Sequence, residues 1–323
     1  MLNCRIFPNG EFSIWDEKKN LEISGPPDQP DYLGLSLLPN SHRVALGLAQ
    51  PPPERARRGS SGITRHGART VRNAAFLLEQ RYGIKHLSFL TLTLPTSSDS
   101  EQYRVGLEWA EICRQFFQAL GRLLGAAGLP ATFCACTEIQ MERYEESGGL
   151  PLHLHVVFPG RRQYKSWAIA PEQFDALWYN ALTNRCPEFE GRDFSAACRV
   201  EMVKKSAEGY LGKYMTKGKA TVEALLREDP GLGEFLPSTW WNCSLNLRRA
   251  IGRRMTGGNT TGRALAKDIR EGDTRIQFSR VIEVTLADGS CLSVAIVGRL
   301  SPEGRARYCW REGGVLGCGG PDD

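Results

Sequence analysis

The hydrophobic and polar positions of the chain repeat with two different periods, and these periods predict its elements. In HLSFLTLTLP (86–95), β-branched and apolar residues crowd a short stretch that ends in proline, which is typical of a strand. Within 98–128 the apolar positions recur at i, i+3 and i+4, as Trp109, Ile112 and Phe116 do. That spacing predicts a long amphipathic helix.

Two further alternating stretches predict a β-hairpin. They are ATFCACTEIQME (131–142) and LPLHLHVVFPG (150–160), joined by a polar turn. The neighbouring patterns predict helices over 64–83, 170–182 and 207–219, the last ending at Gly218, and a short strand over 199–206. The order from residue 86 onward is then β, α, β, β, α, β, α. Such split βαβ patterns predict an α+β fold, an antiparallel sheet with helices on one face.

The composition of the flanking segments divides the chain. Pro- and Gly-rich linkers indicate that residues 1–63 form a peripheral N-terminal segment, and 64–220 hold the predicted sheet. Residues 221–272 are predicted to be a basic helical extension. Residues 273–323 are predicted to form a C-terminal β-hairpin, with Asp-Gly at its turn, and a tail.

Composition narrows the class of protein. The chain of 323 residues is 41% hydrophobic and 24% charged, as in ordinary soluble proteins. We expect no membrane association, since no apolar run approaches the roughly 18 residues of a spanning helix. The first residues lack the basic and apolar regions of a secretion signal. Ten cysteines without a CxxC pair suit reduced thiols. We therefore expect a cytoplasmic protein.

The positive charge is unevenly distributed. The net charge is only +5, yet residues 55–72 contain several arginines and no acid. Two further clusters follow, and the three together are Arg55, Arg57, Arg58, Arg65, Arg69 and Arg72; Lys204, Lys205, Lys213, Lys217 and Lys219; and Arg248, Arg249, Arg253 and Arg254. Each cluster alone is as well explained as solvated surface. Together they indicate a polyanionic partner such as nucleic acid.

Two of the five histidines lie two residues apart in LPLHLHVVF (150–158). His153 and His155 share one face of the predicted strand, and a symmetric hairpin places Glu138 almost opposite His153. A carboxylate with two imidazoles can bind Mg²⁺ or Mn²⁺ and leaves coordination positions open for a substrate. The alternatives are ordinary hydrogen-bonded histidines, or a closed zinc site formed by Cys134, Cys136, His153 and His155.

Two tyrosines lie on one face of the predicted helix in GYLGKYMTKGK (209–219). Tyr210 and Tyr214 are four residues apart, and each is followed three residues later by a lysine, Lys213 or Lys217. A metal or an ammonium group can make a phenol a useful nucleophile. Attack on a DNA phosphodiester yields a 5′-phosphotyrosine and a free 3′-hydroxyl, so strands can later be rejoined. The alternative is that both rings pack in the core.

Together these motifs resemble the HUH endonucleases, in particular the rolling-circle replication initiators of bacterial plasmids and single-stranded DNA phages. The similar segments are FLTLTLP (89–95), the E-x-Q of Glu138–Gln140, LPLHLHVVF (150–158), YLGKYMTK (210–217) and STWWNCSLNLRRAI (238–251). The resemblance implies a ferredoxin- or RRM-like nuclease domain over 64–220, with the tyrosine helix packed beside the sheet.

The resemblance also implies roles for single residues. Glu138, His153 and His155 would hold Mg²⁺ or Mn²⁺ over the scissile phosphate, with Gln140 or Glu142 as alternatives to Glu138. Tyr210 or Tyr214 would attack the phosphate, and Lys213 or Lys217 would steady the developing charge.

The expected function is therefore an initiator that nicks one strand at a DNA origin and later rejoins the ends. Trp240 and Trp241 are candidates for stacking on bases of single-stranded or hairpin DNA, and Arg248, Arg249, Arg253 and Arg254 for contacting phosphates. No GxxxxGK[ST] motif occurs, so a separate host helicase and replication machinery are expected. The alternatives are a mobilisation relaxase, a single-strand transposase, a non-catalytic nucleic-acid-binding module with an RRM-like platform, and a zinc-stabilised structural protein.

Overall fold

The structure is a computed structural model that describes residues 2–16, 62–147, 149–163, 166–254, 256–285 and 291–309. The chain forms two compact units. We call Ala56–Arg249 the central unit, and Met1–Arg55 together with Ala250–Asp323 the terminal unit. Both contain antiparallel sheets with helices, so the predicted α+β class is confirmed. Among the described residues, no helix is long and apolar enough to cross a membrane.

The bounds of the elements follow the chain. The strands are β1 (Leu2–Ile6), β2 (Glu11–Asp16), β3 (Leu87–Thr93), β4 (Cys134–Ile139), β5 (Leu152–Pro159), β6 (Arg161–Gln163), β7 (Ser166–Trp167), β8 (Cys198–Met202), β9 (Trp241–Cys243), β10 (Thr256–Gly257), β11 (Ile276–Thr285) and β12 (Cys291–Leu300). The helices are α1 (Arg65–Tyr82), α2 (Asp99–Ala126), α3 (Met141–Ser147), α4 (Pro171–Thr183), α5 (Ala207–Glu228), α6 (Leu245–Arg254), α7 (Asn259–Arg270) and α8 (Pro302–Cys309).

The central unit is built on a sheet of five strands in the order β8-β3-β5-β4-β9, with every neighbouring pair antiparallel. The predicted elements occur in the predicted order, β3, α2, β4, β5, α4 and β8. The short elements α3, β6 and β7, which were not predicted, lie between them. In space the fourth strand of this series lies beside the first, and the third lies between the first and the second. The short strand β9 extends the sheet beyond β4.

Helices cover both faces of this sheet, which corrects the prediction of helices on one face only. On one face α2 and α4 pack through Trp109 and Trp178, whose rings meet edge to face. The Trp109 indole N–H donates to Thr137 Oγ1 over 2.9 Å, and that of Trp178 donates to the Thr93 carbonyl over 2.7 Å. On the other face, α1 and α5 pack against the sheet and against each other. Tyr210 and Tyr214 of α5 pack on Phe89, and this packing holds the second layer of helices against the sheet.

The predicted helix over 64–83 is confirmed as α1. The Thr64 side chain accepts a hydrogen bond from the Gly67 N–H, and the helix ends at Gly83, whose φ of 75° suits glycine. The long amphipathic helix is confirmed as α2, where the Ser98 N–H donates to Glu101 Oε2 over 2.7 Å. Local capping residues thus set both starts.

Two elements differ from the prediction. Helix α5 does not end at Gly218 but continues to Glu228. A glycine inside a helix costs only about 1 kcal/mol, and the buried Val222 and Leu225 continue its apolar spacing, so packing overrides the glycine. The polar turn of the β4–β5 hairpin is the short helix α3, after which Gly149, with a φ of 74°, leads back to β5.

The terminal unit contains a second five-stranded antiparallel sheet, in the order β10-β1-β2-β12-β11. The predicted C-terminal hairpin is present as β11 and β12, while its Asp288-Gly289 turn lies outside the described residues. The hairpin is not an isolated addition, because β12 pairs with β2. The hydrophobic core of the terminal unit contains Cys4, Ile6, Phe12, Ile14, Leu265, Ala266, Ile296, Leu300 and Tyr308.

The N-terminal strands β1 and β2 were not predicted from the sequence. Their signal is nevertheless present, since the apolar residues Ile6, Phe12 and Ile14 alternate with polar ones. The turn between them includes Gly10, whose φ is 87°. This hairpin was missed because the residues after it are Pro-rich, so that the whole of 1–63 was predicted to be a peripheral segment.

Candidate metal and tyrosine site

The register of three central strands brings the predicted metal ligands onto one sheet face. On β4, Glu138 is paired with His153, as strand parity predicts, and Cys136 is paired with His155. On the other side of β5, Thr91 of β3 is paired with His155. Because side chains alternate along a strand, Glu138, His153, His155 and Thr91 share the face covered by α1 and α5. The β4–β5 hairpin thus brings Glu138 and His155 together, although they are 17 positions apart in the chain.

His155 is held at both ring nitrogens. Its Nε2 lies 2.9 Å from Glu138 Oε2, and its Nδ1 lies 3.2 Å from Thr91 Oγ1. The side chain is buried, with 2% of its surface exposed. In a buried environment these two hydrogen bonds fix the orientation of the ring. Thr91 was not identified from the sequence.

His153 is held less completely. Among the described residues its Nε2 is one of a few buried polar atoms with no hydrogen-bond partner, and the Oε1 of Gln140 is another. Gln140 follows directly after the last residue of β4, two positions beyond Glu138. Burial, then the nearby His155 and Arg143, lower the pKa of His153 to about 3. His153 is therefore neutral at physiological pH, the form that ligates metals.

The two tyrosines of α5 lie over this face. The Tyr214 ring stacks on the His155 imidazole, with 3.8 Å between ring centroids and 22° between planes. Below them, the buried Phe89 has its ring centroid 5.2 Å from that of Tyr210 and 5.7 Å from that of Tyr214. Burial, followed by the Glu138 charge, raises the pKa of Tyr214. Both tyrosines thus pack against the sheet beside the histidines, and Phe89 is a second residue that was not identified from the sequence.

The remaining predicted catalytic residues are more peripheral. Lys213 is exposed, and its Nζ lies 5.7 Å from the centroid of the Tyr214 ring. The side chain of Lys217 lies outside the part of the chain whose side chains are described. Glu142 is exposed on α3, so it is less suited than Gln140 to a buried ligand set. Glu79 of α1 accepts a hydrogen bond from the Ala207 N–H over 3.1 Å and so fixes the start of α5.

The structure corrects one predicted DNA contact. Trp240 is buried, with 2% of its surface exposed, so its ring belongs to the core and does not face a base. Trp241 is half-buried in β9 and packs against α1, where a Cβ at Gly67 would lie 2.4 Å from its indole. Arg248 and Arg249 are exposed on α6. The side chains of Arg253 and Arg254 lie outside the described residues.

The donor types at this site are carboxylate oxygen and imidazole nitrogen, a combination that zinc accepts as well as Mn²⁺. Glu138 supplies carboxylate oxygen, and the two atoms that lack partners are the His153 nitrogen and the Gln140 oxygen. Burial raises the pKa values of Cys134 and Cys136, so both are thiols in the metal-free chain. Across the described ranges, no group of three or more His, Cys, Asp or Glu side chains is arranged as a ready metal site. That finding applies to Glu138, His153 and His155 as much as to the zinc set Cys134, Cys136, His153 and His155, so it favours neither metal.

Comparison of the chain with protein-family models, with curated proteins and with solved structures finds no match. The resemblance of the motifs to the HUH endonucleases therefore stays a prediction. The chemistry has to be assigned from the geometry of Glu138, His153, His155 and the tyrosines of α5.

Proposed function

We propose that the chain is a metal-dependent endonuclease and strand transferase for single-stranded DNA, of the HUH initiator type. The observation that carries this proposal is the stacking of Tyr214 on His155, with 3.8 Å between centroids, where His155 also pairs with Glu138. A phenol beside a carboxylate and two imidazoles combines a nucleophile with the ligands of a hard cation. The phenol comes from α5, the carboxylate from β4 and both imidazoles from β5.

The topology of the central sheet supports the same assignment. The spatial order of fourth, first, third and second strand in a βαββαβ series is that of a ferredoxin-like sheet. In this arrangement the two middle strands, β3 and β5, carry Thr91, His153 and His155. An RRM-like binding platform is less well supported, because Phe89 and Phe158, the aromatic residues of β3 and β5, are buried.

The metal ligands we propose are Glu138, His153 and His155, with Gln140 as a further oxygen donor. A bound Mg²⁺ or Mn²⁺ would supply Lewis-acid polarisation of the scissile phosphate. The protein's own part is to keep His153 neutral, since burial lowers its pKa to about 3. A neutral imidazole has a lone pair ready for ligation.

Tyr214 is the nucleophile that the packing favours. Because burial raises its pKa, the phenol keeps its proton in the resting state and loses it to solvent as its oxygen attacks phosphorus. The P–O3′ bond breaks, the 3′ oxygen takes up a proton, and a 5′-phosphotyrosine remains. The exposed Lys213 ammonium near the Tyr214 ring favours the negative charge that develops. Tyr210, one helical turn earlier, would accept the second strand during rejoining.

The proposed partner is origin DNA in single-stranded or hairpin form. The exposed residues Arg248, Arg249, Lys204, Lys205 and Lys213 supply positive charge for its phosphates. Unwinding would require a separate helicase, because the sequence contains no P-loop. We propose the cytoplasm of a bacterium as the setting. A mobilisation relaxase or single-strand transposase would use the same chemistry.

A covalent-adduct assay tests this proposal. The protein is incubated with a pool of random single-stranded DNA and Mn²⁺, then separated on a denaturing gel beside Tyr214→Phe, Tyr210→Phe and the double variant. We expect a metal-dependent adduct for the wild-type chain, a large loss for Tyr214→Phe, and none for the double variant. DNA binding without an adduct, also with hairpin substrates, would contradict the assignment. Each phenylalanine keeps the ring that packs on Phe89, so loss of folding is a poor explanation for a negative result.

A further inference from the structure

Strand β8 (Cys198–Met202) forms one edge of the central sheet. It pairs with β3, and among the described residues no strand pairs with its other side. The Thr93 N–H donates to the Ala197 carbonyl over 2.8 Å, which fixes the hydrogen-bond pattern between β3 and β8. Because hydrogen-bonded pairs alternate along antiparallel strands, the backbone groups of Arg199 and Glu201 also bond to β3. Those of the alternate residues point to the outer edge.

The outward backbone groups belong to Cys198, Val200 and Met202. A sheet edge with such groups is a template for a further strand, either from a peptide or from another chain. Charged side chains on an edge strand usually discourage that pairing. In β8 the charged residues are Arg199 and Glu201, which have opposite signs and flank Val200. Their order favours one particular partner, a second copy of the same strand.

Antiparallel pairing of β8 with its copy satisfies both the backbone and the charges when it is centred on Val200. Val200 then faces Val200 of the other copy as a hydrogen-bonded pair, and Cys198 faces Met202. Arg199 of each copy lies opposite Glu201 of the other, in the kind of pair whose Cα atoms are only about 4.5 Å apart. A shift of two residues either way places Arg199 opposite Arg199 or Glu201 opposite Glu201, and like charges opposed in this way are destabilising.

We propose that the chain forms a two-fold symmetric dimer by antiparallel pairing of β8 with β8 of a second copy, in which Arg199 of each copy binds Glu201 of the other. The same patch serves both copies, as a two-fold interface requires. In the single chain Arg199 and Glu201 bind each other over 2.9 Å, with 75% and 38% of their side chains exposed. Exposed ion pairs stabilise little, so this one does not oppose an exchange of partners. The dimer would form whether or not the chain cleaves DNA.

Opposite charge reversals test the pairing between copies. Arg199→Glu gives β8 two glutamates and Glu201→Arg gives it two arginines, so each variant alone brings like charges together. Sedimentation velocity over a range of concentrations measures the dimer Kd of the wild-type chain, of each variant and of their equimolar mixture. We expect a reversible wild-type dimer, a Kd raised at least about tenfold in each variant, and recovery in the mixture, where glutamates face arginines.

Three results would overturn the dimer at β8. They are a wild-type chain that stays monomeric at the highest concentration, a dimer that both reversals leave unchanged, and a mixture that associates as weakly as the separate variants. A contact within one chain cannot recover on mixing, so the mixture distinguishes pairing between copies from a merely structural role of these charges. Urea unfolding of each variant identifies one that fails to fold.

Amide hydrogen exchange in the wild-type chain tests the same register without any substitution. The N–H groups of Val200 and Met202 point outward, so their exchange should slow at concentrations where the dimer forms. The N–H groups of Arg199 and Glu201 already bond to β3 in the single chain, so they are a matched control whose exchange should change much less. Slowing of all four alike, or of none while the chain dimerises, would contradict pairing at this edge.

Discussion

The two faces of the central sheet are both buried under helices, but they are built from different side chains. The face under α2 and α4 contains apolar residues such as Leu92 and Leu154, with two indole N–H groups that both have acceptors. The face under α1 and α5 contains Glu138, His153 and His155. We call these the packing face and the site face. Neighbouring residues of one strand thus point in alternation to the apolar layer and to the layer with Glu138 and the histidines.

The buried polar groups of the site face lower the free energy of unfolding. A buried polar atom without a partner costs about 1–3 kcal/mol. Among the described side chains, His153 Nε2 is such an atom on the site face and Ser88 Oγ is one on the packing face. Apolar side chains of similar size would avoid that cost. Retention of His153 is explained if a ligand satisfies its Nε2, and the packing face has to supply the stability that the site face lacks.

The largest expected effect is on cleavage by His153→Leu. Leucine fills a similar volume without a polar atom, so we expect adduct formation to fall by about 10⁴-fold or more while the free energy of unfolding stays the same or rises. Adduct yield over time and urea unfolding measure the two quantities. A fall in cleavage accompanied by a large fall in stability would show that His153 is a packing residue, and the distinction between the faces would fail.

Trp109→Ala should give the opposite result. The Trp109 side chain is fully buried, and its removal leaves a cavity and takes the donor from Thr137. We expect the free energy of unfolding to fall by about 3–5 kcal/mol, as for other large aromatic truncations in cores. Adduct formation per folded molecule should change by less than about threefold, measured at low temperature. Equal falls in stability and in cleavage for both substitutions would contradict the separation of the faces.

The pH dependence of stability provides a smaller, graded test. The pKa of His153 is about 3 in the folded chain and 6.5 in the unfolded chain, so between these values the unfolded state binds one more proton. The stability from this group is then complete above about 6.5 and decreases as pH falls towards 3, by at most about 1.4 kcal/mol per pH unit. We expect His153→Leu to show a shallower decline than the wild-type chain in urea unfolding at pH 7, 6 and 5. Parallel curves would show that His153 is not buried as a neutral ring.

Much of the difference between the two faces could be predicted from the sequence. The order of strands and helices follows from the two hydrophobic periods, and the opposition of Glu138 and His153 follows from strand parity and a symmetric hairpin. The pairing of β3 with β5 was not accessible, because its register depends on residues far apart in the chain. The hydrogen bond between Thr91 and His155 could therefore not be predicted.

Tertiary packing explains the other differences. Gly218 ends no helix, since buried residues beyond it continue the apolar stripe of α5. The polar and basic neighbours of Trp240 predict a DNA contact, yet its ring is buried. Aromatic residues in a basic segment have the same local pattern whether they face solvent or the core. Local patterns alone cannot distinguish these cases.

The smallest expected effect concerns charge rather than burial. Arg248 and Arg249 are exposed on α6, whereas Arg114 and Arg122 are exposed on α2, which covers the packing face. If DNA approaches the site face, replacing Arg248 and Arg249 by glutamine should lower the slope of log K against log salt by about 0.7 for each phosphate of a single strand that the variant no longer binds. The Arg114→Gln/Arg122→Gln double variant carries the same charge change and should leave the slope unchanged. Fluorescence anisotropy with a labelled oligonucleotide at several salt concentrations measures both variants. Equal slopes for the two would remove α6 from the DNA path, and a larger change in the α2 variant would mean that DNA binds on the packing side.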